Sequence, residues 1–515
     1  MKISSCLFFL LVGFAGAAYA EVKLNSIFGD GMVLQRELPI SVWGTANPGE
    51  QVMVQFAGQN LSGAADTAGK WLIILRPLPA SAEPRELIVT TANSKIIISG
   101  VLVGEVWLCS GQSNMEWALG RCTGGPEAVT NSANPQLRLC TIPHNSAMTP
   151  QDEVATKWVV SGPGSTKFFS AIAWWFGSKL QKELGVPVGI INDSYGGTQI
   201  QDWMAAETLR KGPWPHDKST DIALAKADHD QRKARFQPAM DKYLAEKAAA
   251  IKNKTPVPEL PAGWPGDFRG PSVLWNGMVA PLLKLSLRGV LWYQGESNAY
   301  LGVGDTYASL LPAMIAGWRA GFAQPDLPFL IFQISAYRKP QTDPNEASGM
   351  AELREAQLKT ALTMPHSALV VTMDLGETNV HYLNKEPAGE RGLNAALGLA
   401  YGRQLEFTSP TYRSWEIEGD QALVHFAHAA GGLAAKGNPL SGFVIAGEDH
   451  KFVFADARIE GETVIVSSPQ VSKPVAVRYG WADFPKVNLF SKARLPASPF
   501  RTDDWPNSNP KNPKK

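Results

Sequence analysis

The spacing of apolar positions changes along the chain and divides it into regions. From residue 21 to about 100, short runs such as residues 40–43 and 51–56 alternate apolar and polar side chains, with turns between them. Alternation with a period of two is typical of half-buried strands. This region is therefore predicted to be a small β-sandwich.

From about residue 101 to 405, near-continuous apolar runs alternate with segments of helical spacing. The predicted strands are residues 106–109, 188–192, 289–293, 329–334 and 368–373, and the predicted helices are residues 171–184, 307–322, 351–363 and 390–404. This alternation is typical of an α/β domain, with a mostly parallel sheet covered by helices on both faces. Ligands of such folds bind beyond the carboxyl ends of the strands.

Two other regions depart from this pattern. Residues 204–270 are rich in Lys, Ala and Asp, then in Pro and Gly, which predicts a helical insertion that serves either as a lid or as surface decoration. Residues 406–505 return to β character, with strands expected at 422–426, 452–454 and 463–466. The last residues, 506–515, are predicted to be a disordered tail.

The first twenty residues have the features of a signal peptide. Lys2 precedes an apolar stretch, and Ala18-Tyr19-Ala20 has the small-x-small pattern of a cleavage site. No later apolar run is long enough to span a bilayer. We expect cleavage after Ala20 and an exported protein, periplasmic or extracellular, that does not insert into a membrane.

The composition points to no nucleic-acid or metal partner. Lys plus Arg is 48 and Asp plus Glu is 47, so the formal charge of +1 gives no footprint for nucleic acid. After cleavage Cys109, Cys122 and Cys140 remain. An oxidising compartment permits a disulfide, for which Cys122 and Cys140 are the favoured pair, whereas Cys109 is expected to be a small buried thiol. No residues have metal-ligand spacing, so neither a metal nor another cofactor is expected.

The first candidate for chemistry is Ser113. It follows an apolar strand, one residue after Gly111-Gln112, and a short helix is predicted to begin there. A serine in that position projects from the carboxyl edge of the sheet, with its own N–H facing the same space as a potential oxyanion donor. The Gly-x-Ser motif is common in ordinary turns and lacks the second glycine of a nucleophile elbow.

Three more strand ends supply matching groups. The first carries Gly197, the second carries Asn298, and the third leads to His381. The N–H groups of Ser113 and Gly197 and the side chain of Asn298 are candidate oxyanion donors, and His381 is the candidate base because its pKa lies near working pH. Candidates for substrate binding are Gln112, Gln294 and Glu296, with a buried structural role for Glu296 left open.

Several segments resemble the sialate O-acetylesterase family of the SGNH hydrolases. The segments in the catalytic region are CSGQSNM at 109–115, GGT at 196–198, WYQGESN at 292–298, LREAQ at 353–357 and the loop of His381. Outside it, DGMVLQR at 30–36, PSVLWNGMVAPL at 271–282 and ASPFRTDDW at 497–505 also fit. The resemblance implies a three-layer α/β/α domain and a metal-independent acyl-enzyme reaction, with Ser113 as nucleophile and His381 as base.

The sequence departs from that family at the third catalytic residue. Thr378 and Asn379 stand where such enzymes commonly carry an aspartate before the histidine. Either Glu377 or Asp374 replaces it, or a backbone carbonyl orients His381 and the enzyme works as a Ser–His dyad.

The function expected from these features is removal of O-acetyl groups from a sugar. The substrate is expected to be an acetylated sialic acid or an acetylated plant polysaccharide such as xylan or xyloglucan. The alternatives are a non-catalytic carbohydrate-binding protein on the same fold and a broad esterase or lipase. The sequence predicts no particular oligomeric state.

Overall fold

The computed structural model describes residues 21–301, 304–429 and 431–506. The predicted signal peptide and residues 507–515 of the predicted tail lie outside the described residues. Within these ranges, none of the helices combines the length and the apolar character that crossing a membrane requires.

The N-terminal region consists of short strands, as the alternating pattern predicts. They are β1 (Lys23–Leu24), β2 (Val33–Gln35), β3 (Ile40–Thr45), β4 (Gln51–Phe56), β5 (Gln59–Ala64), β6 (Lys70–Leu75) and β7 (Ser81–Thr90). β3 pairs with β1 and β6, and β4 pairs with β5 and β7, all antiparallel. Buried and exposed residues alternate along β4 and β6, so the predicted period of two is confirmed there.

One long strand joins this region to the central one. β8 (Lys95–Gly111) has 17 residues. Its first half pairs with β2 and β7, and its second half lies in the middle of the central sheet. The domain boundary expected near residue 100 therefore falls inside a continuous strand.

The central sheet carries the predicted apolar strands. They are β9 (Asn134–Thr141), β10 (Trp158–Ser161), β11 (Val188–Ser194), β12 (Gly289–Tyr293), β13 (Phe329–Gln333) and β14 (Ser367–Val371). The order is β10-β9-β11-β8-β12-β13-β14, parallel from β9 to β14 and antiparallel at β10. Because β8 also joins antiparallel N-terminal strands, the sheet as a whole is mixed, and the expectation of a mostly parallel sheet is not confirmed for all of it.

Helices cover both faces of this sheet. The α-helices of this region and of the insertion are α1 (Ser113–Glu116), α2 (Gly125–Thr130), α3 (Pro163–Thr166), α4 (Ala171–Leu184), α5 (Ala206–Lys211), α6 (Ile222–Asn253), α7 (Glu296–Tyr300), α8 (Gly304–Gly321), α9 (Gly349–Thr363) and α10 (Glu386–Leu399). Trp318 of α8 packs on Phe329, whereas Gly392 of α10 lies against Phe332 on the same strand. Since side chains three positions apart on a strand point to opposite faces, α8 and α10 lie on opposite sides.

The insertion is helical, as predicted. α5 and the 32-residue α6 occupy most of residues 204–270. Asp221 caps α6 by accepting hydrogen bonds from the backbone N–H groups of Ala223 and Leu224, and the helix ends before Lys254 in a left-handed conformation. The chain then returns through a loop toward Arg269 at the central sheet.

The C-terminal region is β-rich, which confirms the three strands expected there. Its strands are β15 (Thr411–Glu418), β16 (Gln421–Ala427), β17 (Leu433–Ala435), β18 (Phe443–Ala446), β19 (Phe452–Phe454), β20 (Asp456–Glu460), β21 (Thr463–Ser467), β22 (Ala476–Tyr479), β23 (Leu489–Ser491) and β24 (Phe500–Arg501). They form two four-stranded sheets and one two-stranded ribbon.

Cys109 is the buried thiol that the sequence predicts, but the other two cysteines differ from the favoured pairing. Cys109, Cys122 and Cys140 are all buried and free, so the expected Cys122–Cys140 disulfide is absent. The Cys122 thiol contacts the carbonyl oxygen of Ala118, while that of Cys140 contacts the hydroxyl of Thr156. Each is a small buried side chain in the core. Within the described ranges, no cluster of His, Cys, Asp and Glu is arranged to hold a metal ion.

Candidate active site

The nucleophile candidate is positioned by strand register. Gly111 at the end of β8 pairs with Ser194 of β11 and with Tyr293 of β12, so the three parallel strands end together. Gly111 has a φ of +136°, and a Cβ there would lie 2.1 Å from the carbonyl oxygen of Tyr293. Only glycine fits so close to the neighbouring backbone. Ser113 therefore leaves the sheet at its carboxyl edge, as the sequence predicts.

The backbone around Ser113 leaves two N–H groups available. Gly196 packs directly on the serine, since a Cβ on Gly196 would lie 3.1 Å from the Cβ of Ser113. The Gly196 N–H donates to Oε2 of Glu116 at 2.7 Å. Among the residues that the structure describes, the N–H groups of Ser113 and of the exposed Gly197 have no acceptor. These two amides are free to bind an oxyanion.

A network of buried amide side chains lies beneath the serine. Oε1 of Gln112 accepts hydrogen bonds from Nε2 of Gln294 at 3.1 Å and from the N–H of Gly295 at 3.2 Å. Gln294, Glu296 and Gln112 are 0%, 1% and 3% exposed. Because they are buried, these three residues lie below the site rather than on the surface that a sugar would contact.

Asn298 belongs to the same network. Its Nδ2 donates to Oε1 of Gln201 at 2.9 Å, and its Oδ1 accepts from Gln294 at 2.8 Å and from the N–H of Ile200 at 3.0 Å. The side chain thus fastens the segment that follows Gly197 to the turn after β12. Direct donation to an oxyanion would use the amide hydrogen that does not bond Gln201.

His381 reaches the site by stacking on an aromatic ring. Its imidazole packs on Trp117, with ring centroids 4.5 Å apart and an interplanar angle of 23°. Because Trp117 directly follows α1, this stack places the histidine loop over the helix that begins at Ser113. Burial and the nearby charge of Lys385 lower the pKa of His381, and the charge of Glu116 partly opposes them. A lowered pKa keeps the ring neutral near neutral pH, as a general base requires.

The two acid candidates are occupied elsewhere. Asp374 forms a two-pronged ion pair with Arg391, with N–O distances of 2.6 and 2.7 Å. Glu377 accepts a hydrogen bond from the N–H of Leu383 at 2.9 Å. Within the described residues, no carboxylate oxygen is hydrogen-bonded to the ring of His381.

A carboxylate that the sequence reasoning missed lies on the other side of Ser113. Oε1 of Glu116 is 2.9 Å from Nε2 of His144, which lies in the loop after β9. Burial acts to raise the pKa of Glu116, but the hydrogen bonds from His144 and Gly196 and the positive charges of His144 and Arg269 together lower it. Glu116 follows Ser113 by three positions on the predicted helix, and this i, i+3 spacing was the signal that could have found it.

Two further residues complete this side of the site. Tyr195 stacks on His144, with ring centroids 3.6 Å apart. The Arg269 guanidinium lies over the Tyr195 ring, donating to its hydroxyl at 3.1 Å and to the carbonyl oxygen of Gly196 at 3.3 Å. Arg269 comes from the end of the insertion, and nothing in its sequence context indicated that it would contact the segment that packs on Ser113.

The chain is similar to known proteins over the segments that carry the candidate site. The model of a carbohydrate esterase family, described as sialic acid-specific acetylesterases, matches residues 103–214 and 273–397. The matched segments contain Ser113, Gly197, Asn298 and His381. The gap between them falls on the insertion and includes Arg269.

Relatives cover nearly the whole chain. The solved structure of a carbohydrate acetylesterase from Xanthomonas citri is 33% identical with a TM-score of 0.80, covering 94% of this chain and 100% of that one. The sialate O-acetylesterases of Rattus norvegicus and Homo sapiens are each 27% identical, over 95% and 93% of this chain and 94% and 92% of theirs. These similarities support carbohydrate esterase activity. The chain belongs to the family of carbohydrate esterases described as sialic acid-specific acetylesterases.

Proposed function

We propose that this protein hydrolyses O-acetyl esters of a carbohydrate through an acyl-enzyme formed on Ser113. The observation that carries the proposal is the arrangement around α1. A half-buried serine begins the helix, two unpaired N–H groups adjoin it, and an imidazole with a lowered pKa packs against the residue that follows the helix. This arrangement provides a nucleophile, an oxyanion hole and a base.

In the proposed reaction His381 takes the proton of Ser113 as Oγ attacks the acetyl carbonyl carbon. The N–H groups of Ser113 and Gly197 stabilise the oxyanion, each contributing about 3 kcal/mol to lowering the barrier. His381 then protonates the leaving sugar oxygen, and the same imidazole later activates water to release acetate. Asn298 supports the segment that presents Gly197, and its remaining amide hydrogen is available as a third donor.

The proposed catalytic unit is a Ser–His dyad. With Asp374 bound to Arg391 and Glu377 bound to a backbone N–H, Glu116 supplies the negative charge that acts on His381. A carboxylate near the ring stabilises the imidazolium formed in each transition state, even without orienting it through a hydrogen bond.

The proposed sugar-binding surface is the rim formed by Tyr195, His144 and Arg269. Stacked aromatic rings offer an apolar face to a sugar, and the guanidinium offers donors to hydroxyl or carboxylate oxygens. Acetylated sialic acid and acetylated xylan or xyloglucan are the substrates to compare. An ion pair between Arg269 and the sugar would favour sialic acid, because only that sugar carries a carboxylate.

Acetate release from these three substrates tests the proposal. Wild type is expected to release acetate from at least one of them, and Ser113→Ala is expected to lower kcat by about 10⁴-fold or more. Arg269→Gln is expected to raise KM several-fold for the sugar ester while leaving hydrolysis of a small chromogenic acetyl ester unchanged. A larger KM effect for acetylated sialic acid than for the neutral polysaccharides would identify the acidic sugar as the ligand.

A carbohydrate-binding protein without activity is the second candidate, because no carboxylate is bonded to the ring of His381 within the described residues. It predicts that wild type binds the acetylated sugar but releases no acetate. Acetate release that disappears in Ser113→Ala would exclude it.

We also propose that residues 1–20 direct export. Mass spectrometry of the mature protein is expected to find Glu21 at its N-terminus. A mature chain that retains residues 1–20 would contradict cleavage.

A further inference from the structure

Lys385 is a buried lysine beside the proposed site. Its side chain is 0% exposed, and its ammonium donates a hydrogen bond to Oδ1 of Asn114 while lying over the ring of Tyr382, 3.4 Å from the centroid. Burying an ammonium group is costly unless strong partners compensate. A lysine in this position therefore needs a structural or functional explanation.

Asn114, its partner, connects three chain-distant segments. Its Nδ2 donates to Oε1 of Glu296 at 2.6 Å and to the carbonyl oxygen of Val380 at 3.0 Å. Its Oδ1 receives the ammonium of Lys385. The side chain is fully buried, so water does not compete for these bonds.

The sequence neighbours of these residues give the contacts their meaning. Asn114 directly follows Ser113, and Val380 directly precedes His381. Lys385 is the N-cap residue of α10, where the histidine loop ends. The Asn114 side chain thus holds the histidine loop at two points, one before and one after His381. We propose that Asn114 and Lys385 are positioning residues that fix His381 relative to Ser113, an inference that rests on the proposed esterase mechanism.

Charged groups near Lys385 and His381 shift the pKa values of both side chains. Burial lowers the pKa of Lys385 to about 7, opposed by the nearby Cys122, Glu296 and Glu377. The charged groups that act on His381 are Lys385, which lowers its pKa, and Glu116, which raises it. Removing the ammonium should therefore raise the pKa of His381.

The test is Lys385→Met in the full chain, assayed with a chromogenic acetyl ester. We expect kcat to fall between about 10- and 100-fold, the cost of misplacing a catalytic group by about 1 Å, with KM within twofold. The neutral ring is the active form, and a higher pKa leaves it protonated to higher pH. The acidic limb of kcat/KM is therefore expected to shift to higher pH.

The matched control is Lys179→Met. Lys179 also lies near the start of α10, where it pairs with Glu386 at 2.9 Å and Glu390 at 2.7 Å, but its side chain is partly exposed. Its removal is expected to leave the acidic limb in place. A limb that moves equally in both variants would overturn the proposal, because it would report net charge rather than this contact.

A double-mutant cycle tests the coupling itself. Asn114→Leu and Lys385→Met are expected to lower kcat together by little more than the stronger of the two alone, because they remove the same contact. Additive losses would contradict the proposal. If Lys385→Met does not fold, the kcat of Asn114→Ala tests the proposal instead. A kcat equal to that of wild type would overturn it.

A titration of His381 separates this inference from the proposed function. In protein labelled at histidine and assigned with His381→Gln, the pKa of the ring is measured by NMR in wild type and in Lys385→Met, or in Lys385→Gln if the former does not fold. An upward change supports the coupling even if the wild type releases no acetate. An unchanged pKa overturns the coupling even if the enzyme is active.

Discussion

Two imidazoles flank the short helix that begins at Ser113, and they differ in their partners. On one side His381 stacks on Trp117 and is bonded to no carboxylate within the described residues. On the other side His144 stacks on Tyr195 and lies 2.9 Å from Oε1 of Glu116. Each ring is held by an aromatic face, but only His144 has the carboxylate partner that is usually taken as the mark of a catalytic histidine.

Under the mechanism proposed above, a carboxylate contact does not by itself identify the base. His381 lies on the loop that is tied to Asn114, the residue after the nucleophile, whereas His144 lies on an exposed loop at the rim. Glu116 lies between the two sides, bonded to His144 and acting on His381 through its charge alone. We therefore propose that His381 transfers the proton and that His144 contacts the substrate.

Replacing each of the two histidines in turn tests which of them is the base, and it is expected to give the largest effect. His381→Ala is expected to lower kcat by about 10³-fold or more, because the general base is lost. His144→Ala is expected to change kcat by less than about tenfold and to act mainly on KM for the sugar ester. Both are measured with a chromogenic acetyl ester and an acetylated sugar, with thermal unfolding as the control for folding. The reverse order of effects would assign the base to His144.

Removing the charge between the two rings has an intermediate effect. Glu116→Gln is expected to lower kcat about tenfold, because the imidazolium loses a stabilising charge. The same charge raises the pKa of His381 in wild type, so its removal lowers that pKa and moves the acidic limb of kcat/KM to lower pH. This direction is opposite to that expected for Lys385→Met.

The control for Glu116→Gln is Glu127→Gln, which removes an exposed carboxylate from α2. It is expected to leave the pH profile of kcat/KM unchanged. An acidic limb that stays in place in Glu116→Gln would show that this carboxylate does not act on the base.

The smallest effect on activity is expected at Asp374. Asp374→Asn should change kcat by less than about threefold, whereas the same substitution of a triad aspartate costs about 10⁴-fold. It should lower the free energy of unfolding by about 3 kcal/mol, because the largely buried Arg391 loses its carboxylate partner. Urea unfolding and steady-state kinetics measure the two quantities. A large loss of kcat with unchanged stability would make Asp374 the triad acid.

Much of the fold could be predicted from local patterns. β12 occupies the predicted residues 289–293, and α4 occupies the predicted residues 171–184. Both were predictable because a buried strand and an amphipathic helix each require a characteristic spacing of apolar residues along the sequence. The sequence also predicted the edge of the sheet where Ser113 emerges. Other features followed no local rule, including the strand β8 that continues through an expected domain boundary.

The candidate site was predictable only in part. The roles expected for Ser113 and His381 came from motif and strand-end position, and they stay predictions until activity is measured. Gln112 and Gln294 were expected at the substrate but lie in a buried amide network, since a sequence motif does not reveal which side of a turn faces solvent.

The sequence by itself determined where most strands and helices lie and which residue types meet at the carboxyl edge of the sheet. These properties depend on neighbouring residues and on backbone geometry, and both leave a periodic or compositional trace. Only the tertiary structure decided that Arg391 forms an ion pair with Asp374, that Arg269 of the insertion packs on Tyr195, and that Lys385 is buried against Asn114. Those contacts join residues far apart in the chain, where side-chain packing, and not local spacing, selects the partner.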